Sequence, residues 1–114
     1  MALIYKFEEL DNSKVKEVGG KNASLGEMFT ELSPKGINIP DGYATSADAY
    51  RKFIRENEIE GDLKDILSLL DAGDSEQLEK AGKKCRKLIM DASITDEIKD
   101  AILEGYRALR KREK

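Results

Sequence analysis

The stretch Val18–Met28 reads VGGKNASLGEM and places two glycines and a lysine directly before a helical pattern. The apolar residues that follow recur at the i, i+3, i+4, i+7 spacing of one helix face: Leu25, Met28, Phe29 and Leu32. This spacing predicts a helix from Asn22 to about Leu32. The local fold of the region is therefore a glycine-rich loop that enters a helix.

Such a loop is chemically suited to a phosphate group. The N-terminus of a helix leaves backbone N–H groups unpaired and carries partial positive charge. Gly19 and Gly20 let the backbone approach a ligand closely, Lys21 adds a full positive charge, and Asn22 opens the helix. The pattern is compatible with an anion site, but by itself it favours the alternative, a glycine-rich connector with a solvated lysine.

Two common nucleotide motifs do not fit this stretch. A Walker A loop needs glycine where the chain has Val15, and Ser or Thr where it has Asn22. The dinucleotide fingerprint G-x-G-x-x-G is also absent. Any phosphate site here must follow another pattern.

The rest of the chain predicts a mainly α fold with a small β element, an α+β class. Leu3–Leu10 alternates like a short strand, and the segment with both prolines predicts irregular structure with a second short strand at Gly42–Thr45. Four more helices are expected along the chain, so the total is five. They begin after Ser46 as N-cap, around Leu63, after Asp74 as N-cap, and after Thr95. We expect residues 1–114 to form a single unit without a dividing linker.

Two glycines lie in the middle of predicted helices, where glycine is unfavourable. Gly82 and Gly105 each lie inside a predicted helix next to its apolar face. Glycine weakens a helix interior by about 1 kcal/mol relative to alanine. We therefore expect that these two positions allow the last two helices to approach closely, the alternative being tolerated surface glycines.

Composition excludes several classes of function. The chain has 114 residues, a formal net charge of −3 and 38% charged residues of both signs, so no general affinity for nucleic acid or membranes is expected. No apolar run could span a bilayer and the start is unlike a signal peptide, which favours a cytoplasmic protein. Histidine is absent and Cys85 is the single cysteine, so we expect neither imidazole chemistry nor a metal site.

The remaining charged segments do not suggest a second site. The basic run KKCRK, Lys83–Lys87, lacks interleaved aromatic residues, which disfavours nucleic-acid binding. The tail from Arg107 to Lys114 is basic, as is favoured at a helix C-terminus. The acidic residues show no paired arrangement for acid–base work, so no catalytic residue is expected in this chain.

Several segments in order resemble one enzyme family. FEEL at Phe7–Leu10, the Val18–Met28 block, PDGYAT at Pro40–Thr45 and ADAYRKFI at Ala47–Ile54 resemble the beginning of phosphoenolpyruvate synthase (pyruvate, water dikinase). The resemblance covers nearly the whole chain, and the Val18–Met28 block is its most specific part. Pyruvate, phosphate dikinase and rifampicin phosphotransferase also begin in a similar way, but Asn22, Ala23 and Ser24 favour the synthase branch.

The resemblance implies a fold and an activity. Such enzymes convert pyruvate, ATP and water to phosphoenolpyruvate, AMP and phosphate with Mg²⁺. Their N-terminal domain is ATP-grasp-like, a separate swivelling domain carries a phosphohistidine, and a C-terminal barrel binds pyruvate. By resemblance Lys21 is a nucleotide-phosphate ligand, and Gly19, Gly20 and Asn22 form its immediate frame.

The departures from the family pattern limit what the chain can do. It has no histidine, and it ends at Lys114, before the Val-Arg-Ser-Ser segment with a second phosphate-binding arginine. We therefore expect an N-terminal fragment that is inactive alone and binds neither ATP nor Mg²⁺ tightly. The remainder of the parent enzyme is its expected partner, and exposed apolar surface could also give a homodimer. The alternatives are a fragment of pyruvate, phosphate dikinase and a freestanding helical interaction module without catalysis.

Overall fold

The chain forms a mainly helical fold with one small sheet, as expected for the α+β class. A computed structural model describes residues 2–71 and 73–112. Within these residues lie two strands, β1 (Ile4–Lys6) and β2 (Tyr43–Thr45), and six α-helices. The helices are α1 (Val15–Val18), α2 (Gly20–Leu32), α3 (Ala47–Glu56), α4 (Glu60–Ser68), α5 (Ser75–Asp91) and α6 (Asp96–Arg112). Five of them match predicted helices, and α1 is an additional short one.

The chain divides into two compact units. The first contains the described residues up to Arg51 together with those from Asp96 onward, and the second is Lys52–Thr95. The first unit holds the sheet, α1, α2 and α6. The first unit also contains the glycine-rich block, so the candidate site lies entirely within this unit.

The sheet of the first unit is shorter than predicted. β1 and β2 pair antiparallel, with Tyr5 opposite Ala44. The strand predicted to reach Leu10 ends at Lys6, because the Lys6 N–H donates to Glu9 Oε1 at 2.9 Å and Phe7–Glu9 turns into a 3₁₀ helix. The prediction was wrong here because a side chain three residues ahead competes for the backbone donor.

The turn after β1 forms the centre of the first unit's core. Phe7 and Leu10 are buried, and the Phe7 N–H donates to the carbonyl of Gly42 at 3.0 Å, just before β2. Helix α2 packs onto this turn through its small residues. Ala23 is fully buried, and a Cβ built on Gly26 would lie 2.3 Å from Leu10 Cβ and 3.0 Å from the carbonyl oxygen of Phe7. A side chain at position 26 would push the helix off the turn.

The predicted apolar stripe of α2 is therefore not its most buried side. Ala23 and Gly26 are buried, whereas Met28 is 39% exposed. Close approach selects small residues, and hydrophobic periodicity does not register them. The sequence pattern located the helix correctly but missed the face that it packs.

Ser46 begins α3 as predicted. Its hydroxyl oxygen accepts from the Ala49 N–H at 3.0 Å and donates to the carbonyl of Ala2 at 2.6 Å. The Ser46 N–H in turn donates to the carbonyl of Leu3 at 2.9 Å. One buried residue thus caps the helix and ties it to the chain that leads into β1.

Helix α6 lies against the sheet of the first unit. The Tyr43 hydroxyl donates to the carbonyl of Ile102 at 2.8 Å, and a Cβ on Gly105 would lie 2.6 Å from the Tyr43 ring and 2.7 Å from Ile4 Cδ1. At Gly82 the nearest atoms belong to Arg86 of the same helix. The nearest neighbours of these glycines are therefore not those predicted, since Gly105 admits the sheet of its own unit and Gly82 lies beside an arginine of its own helix.

Side-chain hydrogen bonds to the backbone mark helix ends in the second unit. Asp74 accepts hydrogen bonds from the N–H groups of Glu76 and Gln77 and so begins α5 as predicted. The Gln77 side chain accepts from the Asp71 N–H and not from the cap residue, so the reciprocal half of a capping box is not formed. Asn57 bonds the backbone of Ser93 in both directions, at 2.9 and 3.1 Å.

The break between α1 and α2 lies at Gly19. This residue has φ 84° and ψ 163°, a region that is essentially restricted to glycine. Its N–H closes α1 on the carbonyl of Val15 at 2.8 Å, and its own carbonyl accepts from the Ala23 N–H at 3.0 Å to begin α2. Gly19 therefore ends one helix and starts the next.

We predict that Gly26→Ala lowers the free energy of unfolding by about 1–3 kcal/mol, because its Cβ would overlap Leu10. The matched control is Gly61→Ala in α4, where nothing lies within 4 Å of an added Cβ. The control should be neutral or more stable by about 0.4–1 kcal/mol. Urea unfolding measures both variants. Equal stability of the two would show that the contact between α2 and the Phe7–Leu10 turn is not tight.

The neighbouring glycines Gly19 and Gly20 allow a second comparison that isolates backbone conformation. Nothing lies within 4 Å of an added Cβ at either residue, and only Gly19 has a positive φ. Gly19→Ala should destabilise the chain by about 1–3 kcal/mol, whereas Gly20→Ala should be close to neutral. Thermal unfolding followed by circular dichroism distinguishes them. A neutral Gly19→Ala would mean that the chain does not need the left-handed turn.

Candidate functional site

The N-terminus of α2 brings the four residues of the predicted site together. Gly19, Gly20, Lys21 and Asn22 form the turn and the first residues of the helix. Since the first helical bond runs from the Ala23 N–H to Gly19, the three amides before Ala23 have no carbonyl of α2 to bind. Gly19 also has no side chain with which to cap them. The helix therefore presents backbone donors at this end.

The charges of the first turn favour an anion. Lys21 is exposed in this turn, and the turn contains no acidic residue. The partial positive charge of the helix terminus and the lysine ammonium group therefore act in the same direction. Gly19 and Gly20 are also exposed, so a ligand can approach the backbone closely. This combination can bind a phosphate group.

Asn22 has a framing position. Its side-chain Nδ2 donates to the carbonyl of Val18 at 3.2 Å, and the residue is half-buried. This bond satisfies a carbonyl at the end of α1 and holds the two helices at their junction. The asparagine amide is thereby used within the chain, and Lys21 remains the side chain that points its charge to solvent.

A second set of polar residues adjoins α2 and was missed by sequence reasoning. Asn12 Nδ2 donates to Glu27 Oε2, and Ser24 Oγ donates to Asn12 Oδ1 at 3.4 Å. The run Asp11-Asn12-Ser13, three residue types typical of turns, was the available signal, but the partners of Asn12 lie twelve and fifteen residues further along the chain. The turn is a 3₁₀ helix, Asn12–Lys14, whose N-cap Asp11 accepts from the Ser13 N–H at 2.8 Å. The hydrogen bonds from the Ser13 hydroxyl and N–H lower the pKa of Asp11.

A metal ion in a protein is held by side chains that converge on one point. Among the described residues, no three of the Cys, Asp and Glu side chains converge in a way that could hold an ion. The Mg²⁺ that the family resemblance implies thus has no complete ligand set among the described residues. Cys85 is a half-buried free thiol on α5.

The basic segments take part in ion pairs. Lys87 of the KKCRK run pairs with Asp91 at 2.8 Å on the exposed side of α5, which raises the pKa of Lys87. In the tail, Arg112 Nε donates to Asp41 Oδ2 at 2.7 Å, and this hydrogen bond raises the pKa of Arg112. Asp41 also accepts from the Gly42 N–H at 2.8 Å. The Asp41–Arg112 pair therefore joins the end of α6 to the loop before β2.

Membrane insertion has no candidate in the described residues. None of the helices there combines the length and the apolar character that a bilayer crossing requires.

Comparison with known proteins assigns the chain to a family. Residues 15–114 match the family described as "Pyruvate phosphate dikinase, AMP/ATP-binding domain". The chain is 45% identical over 108 residues to a phosphoenolpyruvate synthase of Synechocystis, covering 95% of this chain and 13% of the relative. It is 40% identical over 107 residues to the phosphoenolpyruvate synthase of Escherichia coli, covering 94% and 14%. A probable phosphoenolpyruvate synthase of Methanocaldococcus jannaschii is 41% identical over 109 residues, covering 96% and 9%.

The matches cover nearly the whole chain but only a small part of each relative. The chain spans about an eighth of the length of the first two relatives and less of the third. The matched region of the family contains the whole of α2 and the loop before it. The chain belongs to the pyruvate phosphate dikinase AMP/ATP-binding domain family.

Proposed function

We propose that residues 1–114 act as the N-terminal portion of the nucleotide-binding domain of a phosphoenolpyruvate synthase. Such an enzyme converts pyruvate, ATP and water to phosphoenolpyruvate, AMP and phosphate through a phosphohistidine. In this proposal the enzyme is cytoplasmic, and the rest of the enzyme supplies the phosphohistidine and pyruvate domains. Lys21 binds a phosphate of ATP, and Gly19, Gly20 and Asn22 shape the loop around it.

The observation that carries the proposal is the N-terminus of α2. A chain of an AMP/ATP-binding family presents free backbone donors, an exposed lysine and a glycine-only turn at one place. A nucleotide carries its negative charge on its phosphates, which is the chemistry that such a helix end binds. Lys21 contributes charge, and the exposed glycines allow the backbone to approach the phosphate oxygens.

The choice of synthase over dikinase rests on the relatives. Those compared above carry the name phosphoenolpyruvate synthase, whereas the family description names pyruvate phosphate dikinase. The two enzymes differ in the acceptor of a phosphoryl group, which is water in the first and inorganic phosphate in the second. In the whole enzyme, release of inorganic phosphate without pyrophosphate supports the synthase, and formation of pyrophosphate would support the dikinase.

Catalysis needs groups beyond those that the chain supplies. Phosphoryl transfer depends on positioning the triphosphate, neutralising its charge and presenting an acceptor. The chain has no histidine to accept a phosphoryl group. We therefore propose that these residues contribute one part of a larger nucleotide site and are inactive alone.

We predict that the isolated 114-residue chain binds Mg·ATP weakly, with a Kd above about 100 μM, since one lysine and a few amides form only part of a site. Isothermal titration calorimetry with Mg·ATP measures this directly. A Lys21→Ala chain gives the baseline for non-specific binding. Low-micromolar binding that is lost in the variant would show that the chain holds a complete ATP site.

In the whole enzyme, we predict that Lys21→Ala slows ATP-dependent formation of the phosphoenzyme by about tenfold to a hundredfold, as for a lost hydrogen bond to a charged group. Incorporation of label from ATP during a single turnover measures this half-reaction. Lys16→Ala is the matched control, because Lys16 is an exposed lysine of the adjacent α1. Normal phosphoenzyme formation by the Lys21→Ala variant would remove Lys21 from the nucleotide site.

A further inference from the structure

The contacts of Asn12 reach two turns of the helix that begins at the proposed nucleotide site. Its Nδ2 donates to the carboxylate of Glu27, and its Oδ1 accepts from the hydroxyl of Ser24 at 3.4 Å. The amide thus uses its donor side for one residue and its acceptor side for the other. A single side chain therefore bridges Ser24 and Glu27, which lie three residues apart on α2.

The bridged residues lie in one row with Lys21. Residues three apart are neighbours on a helix surface, so Lys21, Ser24 and Glu27 follow one another along α2. Asn12 bonds the second and third members of this row, and Lys21 is the next member towards the N-terminus. The contact lies on the side of the helix that leads to the proposed phosphate ligand.

Asn12 is itself presented from a constrained turn. Asp11 caps this turn by accepting from the Ser13 N–H and hydroxyl, and the Lys14 N–H donates to the Asp11 carbonyl at 3.0 Å. Leu10, the residue before Asp11, is buried against Gly26 of α2. The segment Leu10–Lys14 therefore contacts α2 through an apolar contact at Gly26 and a polar one at Ser24 and Glu27.

The apolar contact at Gly26 by itself constrains the rotation of α2 only weakly. Gly26 has no side chain to interlock with Leu10, so packing at this point limits the distance of α2 more than its rotation about its own axis. At the start of the helix, Gly19 has no capping side chain, and the bond from Asn22 to the Val18 carbonyl anchors α2 only to the adjoining α1. A two-sided hydrogen bond from Asn12 to one row of α2 opposes that rotation.

We propose that Asn12 is a positioning residue for Lys21. Through Ser24 and Glu27 it sets the rotation of α2, and thereby the direction in which the Lys21 side chain leaves the helix. This inference rests on the proposed function of Lys21 as a phosphate ligand. Since the hydrogen-bonding atoms of Asn12 and its partners are exposed, their loss should affect orientation much more than folding.

The first test is steady-state kinetics of the whole enzyme with Asn12→Ala. We expect KM for ATP to rise about fivefold while KM for pyruvate stays unchanged, because the loss acts at one substrate's site. Asn38→Ala is the matched control, an exposed asparagine of the same unit outside the contacts described. Glu27→Gln retains an oxygen that can accept from Asn12 and should stay near the parent enzyme, whereas Glu27→Leu should behave like Asn12→Ala.

The second test places Asn12→Ala in a Lys21→Ala background. If Asn12 acts through Lys21, it should change KM for ATP by less than about twofold in that background. An equal rise in both backgrounds, parallel rises in KM for ATP and pyruvate, or no effect of Asn12→Ala at all would overturn the inference. A Lys21→Ala enzyme with normal phosphoenzyme formation would instead overturn the proposed function, so the two failures are distinct. Should Asn12→Ala fail to fold, Glu27→Leu against Glu27→Gln gives the same comparison.

Discussion

The first unit depends on the close approach of α2 to the turn that follows β1. Leu10 and the carbonyl of Phe7 occupy the space that a side chain at Gly26 would take, and Ala23 is fully buried in the same region. The Phe7 N–H in turn reaches Gly42, which leads into β2. One contact without room for a methyl group therefore places the helix against a turn that is itself bonded to the segment leading into β2. Interiors packed at this density respond to changes of a single carbon atom.

This contact explains why different sides of the helix in the block Val18–Met28 have different surroundings. Small residues on one side of α2 pack against the core, polar residues on a neighbouring row meet Asn12, and the start of the helix remains exposed with Lys21. Gly19 supplies the backbone conformation that frees the first amides of the helix. A phosphate site at a helix end requires both a firm base and an open end, because binding energy is lost if the donors must first be ordered. On the proposed function, the packing of α2 against the Phe7–Leu10 turn provides this base.

Under the proposed function, this arrangement belongs to a larger enzyme. The matched region includes α2 with its glycine turn, and the relatives compared are much longer than the chain. On the proposed function, the domain holds one side of a triphosphate while other parts of the enzyme supply the phosphohistidine and the metal ligands. A nucleotide site assembled from several segments can release its product when the segments separate. The weak anion affinity expected of a single helix end suits such a role.

The sequence by itself determined the approximate positions of five helices, the caps at Ser46 and Asp74 and the α+β class, since local propensity and periodicity decide these features. The loop predicted before Asn22 is only the turn at Gly19, because Gly20 and Lys21 are already the first residues of α2. The sequence also carried the family resemblance. Only the tertiary structure decided that β1 stops at Lys6, that Ala23 and Gly26 form the packing face, that Gly105 admits the sheet, and that Asn12 meets Ser24 and Glu27. These features depend on residues that are distant in sequence or on competition between hydrogen bonds. Hydrophobic periodicity does not show where a glycine packs closely against another element, and it does not show which residues a polar side chain will bond. The contacts that position the candidate site are therefore visible only in the folded chain.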